Sequence, residues 1–131
     1  MPPPFTQIID LHNLAIHQVS AFPKKRRLFE MLQRRKRSRH FIGIVGPRGV
    51  GKSVILRQLC QACGDEGLYL SLDAFNEINL FEVAKKAAEN YKITHLFLDE
   101  VHFVKTIDQD LKKIYDFLDL QVTFTSSVAV A

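Results

Sequence analysis

The stretch FIGIVGPRGVGKSVILRQL, residues 41–59, most constrains what this chain can fold into. An apolar run stops at a glycine, a short loop carries two more glycines, and Lys52 and Ser53 open a run with apolar residues at helical spacing. That order calls for a buried strand, a tight loop and a helix. Residues 46–53, GPRGVGKS, match G-x-x-x-x-G-K-[ST], the pattern of a phosphate-binding loop (P-loop). At average residue frequencies, roughly one chain in two hundred of this length would match by chance. Gly46, Gly49 and Gly51 let the backbone curl and bring several N–H groups to one anion with no Cβ in the way. The helix that follows adds unpaired N–H groups and the positive end of its dipole. Lys52 brings a mobile charge to the β and γ phosphates, and Ser53 offers a hydroxyl to Mg²⁺. Pro47, Arg48, Val50 and Val54 complete the expected nucleotide-binding segment; Arg48 reads as a phosphate contact or as a solvated side chain.

A phosphate loop needs an acid at the end of another strand before it becomes an Mg–ATP site. Residues 95–102, HLFLDEVH, place Asp99 just after an apolar run and Glu100 next to it. Asp99 is expected to hold Mg²⁺ and Glu100 to orient or deprotonate the attacking water. His102 is a candidate for sensing the γ-phosphate or the water through Glu100, or an ordinary loop histidine. Downstream, QVTFTSS ends in Thr125, Ser126 and Ser127, hydroxyl residues at a third strand end and candidates for fixing the attacking water.

Between these motifs the pattern alternates strand and helix. The N-terminal residues MPPP should fray. Ile8, Leu11, Ala15, Val19 and Phe22 recur at helical spacing until Pro23 breaks the run. A basic helix is predicted over 25–36, strands over 40–45, 68–72, 93–98 and 120–125, and helices over 52–63, 80–91 and 106–118. Asn79 should cap one helix and T-x-x-Q at Thr106 should form a capping box for another. From His40 onward this order implies a parallel sheet with helices on both faces, and the short apolar strands agree.

A chain of 131 residues with 47% hydrophobic and 24% charged residues is long enough for one domain with a real core. We divide it into an N-terminal helical segment, 1–23, and a P-loop core, 24–131. No apolar run is long enough to span a bilayer and no secretory signal opens the chain, so a cytoplasmic location without membrane contact is expected. The net charge of +4 hides an asymmetry: residues 24–39, KKRRLFEMLQRRKRSR, carry +8 and the remainder −4. That segment reads as a contact for nucleic acid or another polyanion, or as a solvated helix face with Leu28, Phe29, Met31 and Leu32 turned inward. Cys60 and Cys63 form one C-x-x-C near a helix end, too few ligands for zinc, and read as small core residues.

GPRGVGKS, LYLSLD, HLFLDEVH, a helix with LKKIYD and TFTSS together resemble the P-loop ATPases of the AAA+ type. More narrowly they are similar to the prokaryotic family with a GPR-x-VGK-[ST] loop, a DEVH box and a T-G-S-S strand end, over roughly residues 25–127. The resemblance implies a three-layer α/β sandwich of the additional-strand (RecA/AAA+-like) type with strand order 5-1-4-3-2. It implies ATP and Mg²⁺ as cofactors, Lys52 and Ser53 as Walker A residues, Asp99 and Glu100 as the Walker B pair, and residues 125–127 as the sensor region. Ser126 stands where the family has glycine. The family continues with a fifth strand, a helical lid and often a further domain. The sequence therefore reads as a core cut off after its fourth strand, with its first strand to be covered by residues 5–22, by another chain or by a missing part. No arginine follows Arg57, so an arginine finger from the C-terminal half is excluded and turnover by this chain alone should be slow. Other readings of the same residues are a small-molecule kinase, a non-enzymatic module binding nucleic acid or protein through 24–39, and a remnant that no longer functions.

Overall fold

The computed structural model describes residues 4–19, 41–46, 51–75 and 77–127. The predicted basic helix and half of the phosphate loop, residues 47–50, lie outside them. Four strands, β1 (Ile42–Gly46), β2 (Gly67–Ser71), β3 (His95–Asp99) and β4 (Gln121–Ser127), form one sheet. All neighbours are parallel and the order is β1-β4-β3-β2, as the resemblance implied. The helices are α1 (Phe5–Val19), α2 (Lys52–Cys63), α3 (Leu80–Asn90) and α4 (Ile107–Phe117).

Register decides which side chains share a face. Tyr69 pairs with Phe97, Ser71 with Asp99, and Phe97 with Thr123, while Ile42, Ile44 and Gly46 pair with Thr123, Thr125 and Ser127. Parallel partners point the same way and alternate residues point oppositely. One face therefore carries Tyr69, Phe97 and, further along, the polar ends Ser71, Asp99, Thr125 and Ser127. Ile55, Leu56, Leu59 and Cys60 of α2 cover its apolar part. The other face carries Leu68, Leu70, Leu96, Leu98 and Val122, packed under Leu80, Ala84 and Ala87 of α3 and Ile114 of α4. Three layers result because α2 covers one face of the sheet and α3 and α4 cover the other. At one point the fit is tight: a Cβ on Gly43 of β1 would lie 2.7 Å from the Phe124 ring of β4.

α1 belongs to both sides. Phe5 and Ile8 join the α3–α4 cluster, whereas Ala15 joins the α2 cluster. The helix thus crosses the outer edge of β2, which pairs only with β3. There His12 Nδ1 accepts the backbone N–H of Tyr69 at 2.9 Å, satisfying a donor that no neighbouring strand reaches. Burial pulls the His12 pKa below its ordinary 6.5, in keeping with a neutral ring acting as acceptor. Of the covers considered for β1, residues 5–19 instead guard the opposite edge, at β2.

Several boundaries differ from the pattern-based expectation for local reasons. Residues 93 and 94 are not strand: Ile93 N–H donates to Ala87 O at 3.1 Å and Thr94 N–H to Glu66 O at 2.9 Å, so β3 starts at His95. β4 runs two residues past Thr125, because pairing with β1 continues to Gly46 and Ser127. Pro4, expected to fray, accepts the Gln7 N–H at 3.1 Å and so starts α1. Asn79 caps α3 as predicted, its side chain accepting Glu82 N–H at 3.2 Å. The capping box at Thr106 does not form. With φ −97° and ψ 21° that residue is outside the extended conformation a cap needs, and its hydroxyl donates to Asp110 Oδ2 at 2.8 Å instead. Cys60 and Cys63 are free thiols near the C-terminus of α2, and burial, then the neighbouring Cys63, pushes the Cys60 thiol well above its ordinary pKa.

Candidate functional site

The four strands all end at one edge of the sheet, and α2 begins there. Open α/β sheets place their ligand crevice at this edge. Gly46 ends β1, and Gly51, at φ 88°, turns the chain into α2 in a conformation that favours glycine. α2 then opens with Lys52 and Ser53, its N-terminus at this edge. An open cleft of about 560 Å³ lies here, lined by Lys52, Ser53, Arg57, Asp99 and Glu100, with Ser71 and Asp73 on the far wall. A smaller apolar pocket of about 140 Å³ lies alongside, between Leu11 and Leu14 of α1 and Phe75. Arg57 borders both, while Lys52, Asp73, Asp99 and Glu100 line the larger cleft.

The structure brings together side chains that the sequence scatters over 75 residues. Lys52 Nζ donates to Gly46 O at 2.6 Å and to Ser127 Oγ at 3.3 Å. Ser127 Oγ also donates to Glu100, with 3.0 and 3.1 Å to the two carboxylate oxygens. One hydroxyl therefore bridges the amine of the loop and the carboxylate after β3. His102 closes the other side of Glu100: its Nε2 is 3.3 Å from Oε2, and its Nδ1 accepts the Ser127 N–H at 3.3 Å.

Glu100 reaches this position through its backbone. It sits in the left-handed region at φ 59° and ψ 51°, which disfavours a side chain with a Cβ by about 1–2 kcal/mol. Its N–H donates to Thr125 Oγ1 at 3.0 Å, which helps hold the turn. Such strain collects at functional sites.

Asp99 is 2% exposed and both its oxygens are held. Thr125 Oγ1 donates to Oδ1, and Tyr69 Oη donates to Oδ2 at 2.6 Å. Burial, reinforced by the Asp99 charge, pushes the Tyr69 phenol well above its ordinary pKa, so it stays a donor. The Arg57 guanidinium lies 5.2 Å from the Tyr69 ring centroid.

Of the predicted site residues, Gly46, Gly51, Lys52, Ser53, Val54, Asp99, Glu100, Thr125 and Ser127 lie at this strand-end edge. Pro47, Arg48, Gly49 and Val50 fall outside the described residues. Ser126 points to the other face from Thr125 and Ser127 and makes no contact here that we identify. Sequence reasoning missed Tyr69, Arg57, Ser71 and Asp73. The signal for Tyr69 was a hydroxyl-bearing aromatic inside LYLSL, on the same side of its strand as Ser71. Arg57 stands one turn beyond Ser53 on α2 and so faces the same way.

The fold and this edge define a P-loop NTPase-type α/β sandwich. The AAA domain family matches residues 38–131, and the chain belongs to that family. Membership makes this region an ATPase-type nucleotide-binding core. No curated protein matches the chain. Among solved structures, one described as the structural basis for DNA unwinding at forked double-stranded DNA by two coordinating Pif1 helicases superposes with a TM-score of 0.51 at 14% identity. The match covers 79% of this chain and 33% of that one, so this chain spans about a third of the helicase chain. At that identity the likeness concerns the fold alone. Among the described residues no helix is long and apolar enough to cross a membrane.

Proposed function

We propose that the cleft binds ATP with Mg²⁺ and that Glu100 supports its hydrolysis. The observation that carries this reading is the Ser127 hydroxyl joined to both Lys52 and Glu100. It brings a phosphate-seeking amine and a water-orienting carboxylate to one point. The donor set fits the group: a lysine amine, the N-terminus of α2, a serine hydroxyl and buried carboxylate oxygens, the hard ligands that Mg²⁺ takes. Ser53 and Asp99 would hold the metal, which when bound neutralises charge on the phosphate oxygens. Lys52 would exchange its Gly46 and Ser127 partners for phosphate oxygens. Glu100, held by Ser127 and His102, would orient water and accept its proton. Thr125 fixes Asp99 and the Glu100 backbone together, and Ser127 occupies the sensor position.

Arg57 is the only arginine among the described residues, and its guanidinium lies over the Tyr69 ring. Phosphoryl transfer of this type gains orders of magnitude from an arginine finger, often supplied in trans, so the isolated chain should hydrolyse ATP slowly. Titrating Mg–ATP into the wild-type chain and Lys52→Ala tests the reading. The variant should lose most of the affinity; equal affinity in both would sink the phosphate-loop assignment. The charge of +8 over residues 24–39 supports a second reading, in which the chain also binds nucleic acid. A chain that binds no DNA oligonucleotide would refute it, and binding that survives neutralisation of that segment would take the contact away from residues 24–39.

A further inference from the structure

We infer that Tyr69 is a positioning residue of the metal site, fixing the Asp99 carboxylate and linking it to the N-terminal helix; this rests on the Mg–nucleotide reading above. Three observations converge on Tyr69. First, its hydroxyl donates to Asp99 Oδ2 at 2.6 Å, while Thr125 occupies the other oxygen. Two donors on opposite oxygens leave the carboxylate one orientation, and each bond is strengthened by the carboxylate charge. Second, Ser71, not Tyr69, is level with Asp99 in the sheet register. Only a long side chain can reach Asp99 from two residues back, a step of about 6.6 Å along a strand. Tyrosine does this, and phenylalanine would fill the same space without the donor. Third, the ring is clamped: Tyr69 is 3% exposed, packs with Leu56, Leu59 and Phe97, and has the Arg57 guanidinium over its face. Its backbone N–H is held by His12 of α1 at 2.9 Å.

A bound metal selects among carboxylate orientations, so a donor that pre-sets one contributes to metal affinity without touching the ion. Outer partners of this kind typically change metal affinity about tenfold or more when removed. The phosphates would be held by the loop and Lys52, whereas Tyr69 acts on the Asp99 carboxylate. Tyr69 should therefore matter only when Mg²⁺ is present.

The experiment measures, by calorimetry, the affinity of a non-hydrolysable ATP analogue in Mg²⁺ and in EDTA. The wild-type chain, Tyr69→Phe, Asp99→Asn and the double variant are compared, each checked for fold by circular dichroism. Tyr69→Phe should reduce the gain from Mg²⁺ by about tenfold, leave binding in EDTA unchanged, and add nothing on top of Asp99→Asn. A Mg²⁺ gain equal to wild type in Tyr69→Phe, an equal loss with and without Mg²⁺, or a loss additive with Asp99→Asn each overturns the inference while the nucleotide reading stands. A wild-type chain that binds the analogue in neither condition overturns both.

Discussion

Thr125→Val is the substitution that most sharply separates this site from ordinary core packing. Thr125 is fully buried, and valine has nearly its shape. Its hydroxyl donates to Asp99 Oδ1 and accepts the Glu100 N–H at 3.0 Å. Valine removes both bonds and leaves two buried groups without a partner, one of them on a carboxylate. Hydrogen bonds to charged groups contribute about 1.5–3 kcal/mol, and an orphaned buried donor about 1–3 kcal/mol. Allowing for relaxation, Thr125→Val should destabilise the fold by roughly 2–4 kcal/mol. Thr123 supplies the control, two residues away on the same strand and face and 2% exposed. Its hydroxyl meets the ring of His95 at 3.0 Å rather than a carboxylate, so Thr123→Val should cost only about 1 kcal/mol. Urea unfolding followed by far-ultraviolet circular dichroism measures both, since the chain has no tryptophan. A Thr125→Val loss no larger than that of Thr123→Val would refute the claim that this hydroxyl holds two chemically demanding groups.

Two other outcomes follow from the same geometry. Glu100→Gln should keep Mg–ATP affinity but lower single-turnover hydrolysis by about a hundredfold or more, because an amide cannot take the proton from water; undiminished hydrolysis would remove Glu100 from its proposed role. His12 makes stability depend on pH. Its folded pKa lies below the unfolded 6.5, so on acidification the unfolded state takes up its proton first. The His12 contribution is fully present above about pH 6.5 and is lost as pH falls through the lower folded value. His12→Asn, which retains an acceptor for the Tyr69 N–H, should flatten the unfolding profile on the acid side; an unchanged profile would assign the dependence to other groups.

The sheet was legible because each strand is a short apolar run set off by a glycine, an acid or a hydroxyl. The loop motif and DE pair were legible because their chemistry depends on fixed spacing. What escaped was set by tertiary register. Nothing local in LYLSL says that Tyr69 lies diagonal to Asp99; this follows only once Ser71 is level with Asp99. The path of α1 was equally hidden, because its spacing gave a helix but not the edge it covers. Thr106 shows the converse, a local signal overridden when the preceding 3₁₀ turn at Val101–Phe103 delivers the chain in the wrong conformation. Glu100 combined both: its identity was readable, its left-handed backbone was not.

The loop of residues 46–53 and the carboxylates after β3 are proposed to serve one Mg–nucleotide. A crystal structure with Mg²⁺ and a non-hydrolysable ATP analogue tests it most directly. The triphosphate should lie on the N-terminus of α2, with Mg²⁺ served by Ser53 and Asp99 and Lys52 moved from Ser127 to phosphate. Nucleotide bound elsewhere, or bound in the cleft with Lys52 still on Gly46 and Ser127, would contradict it.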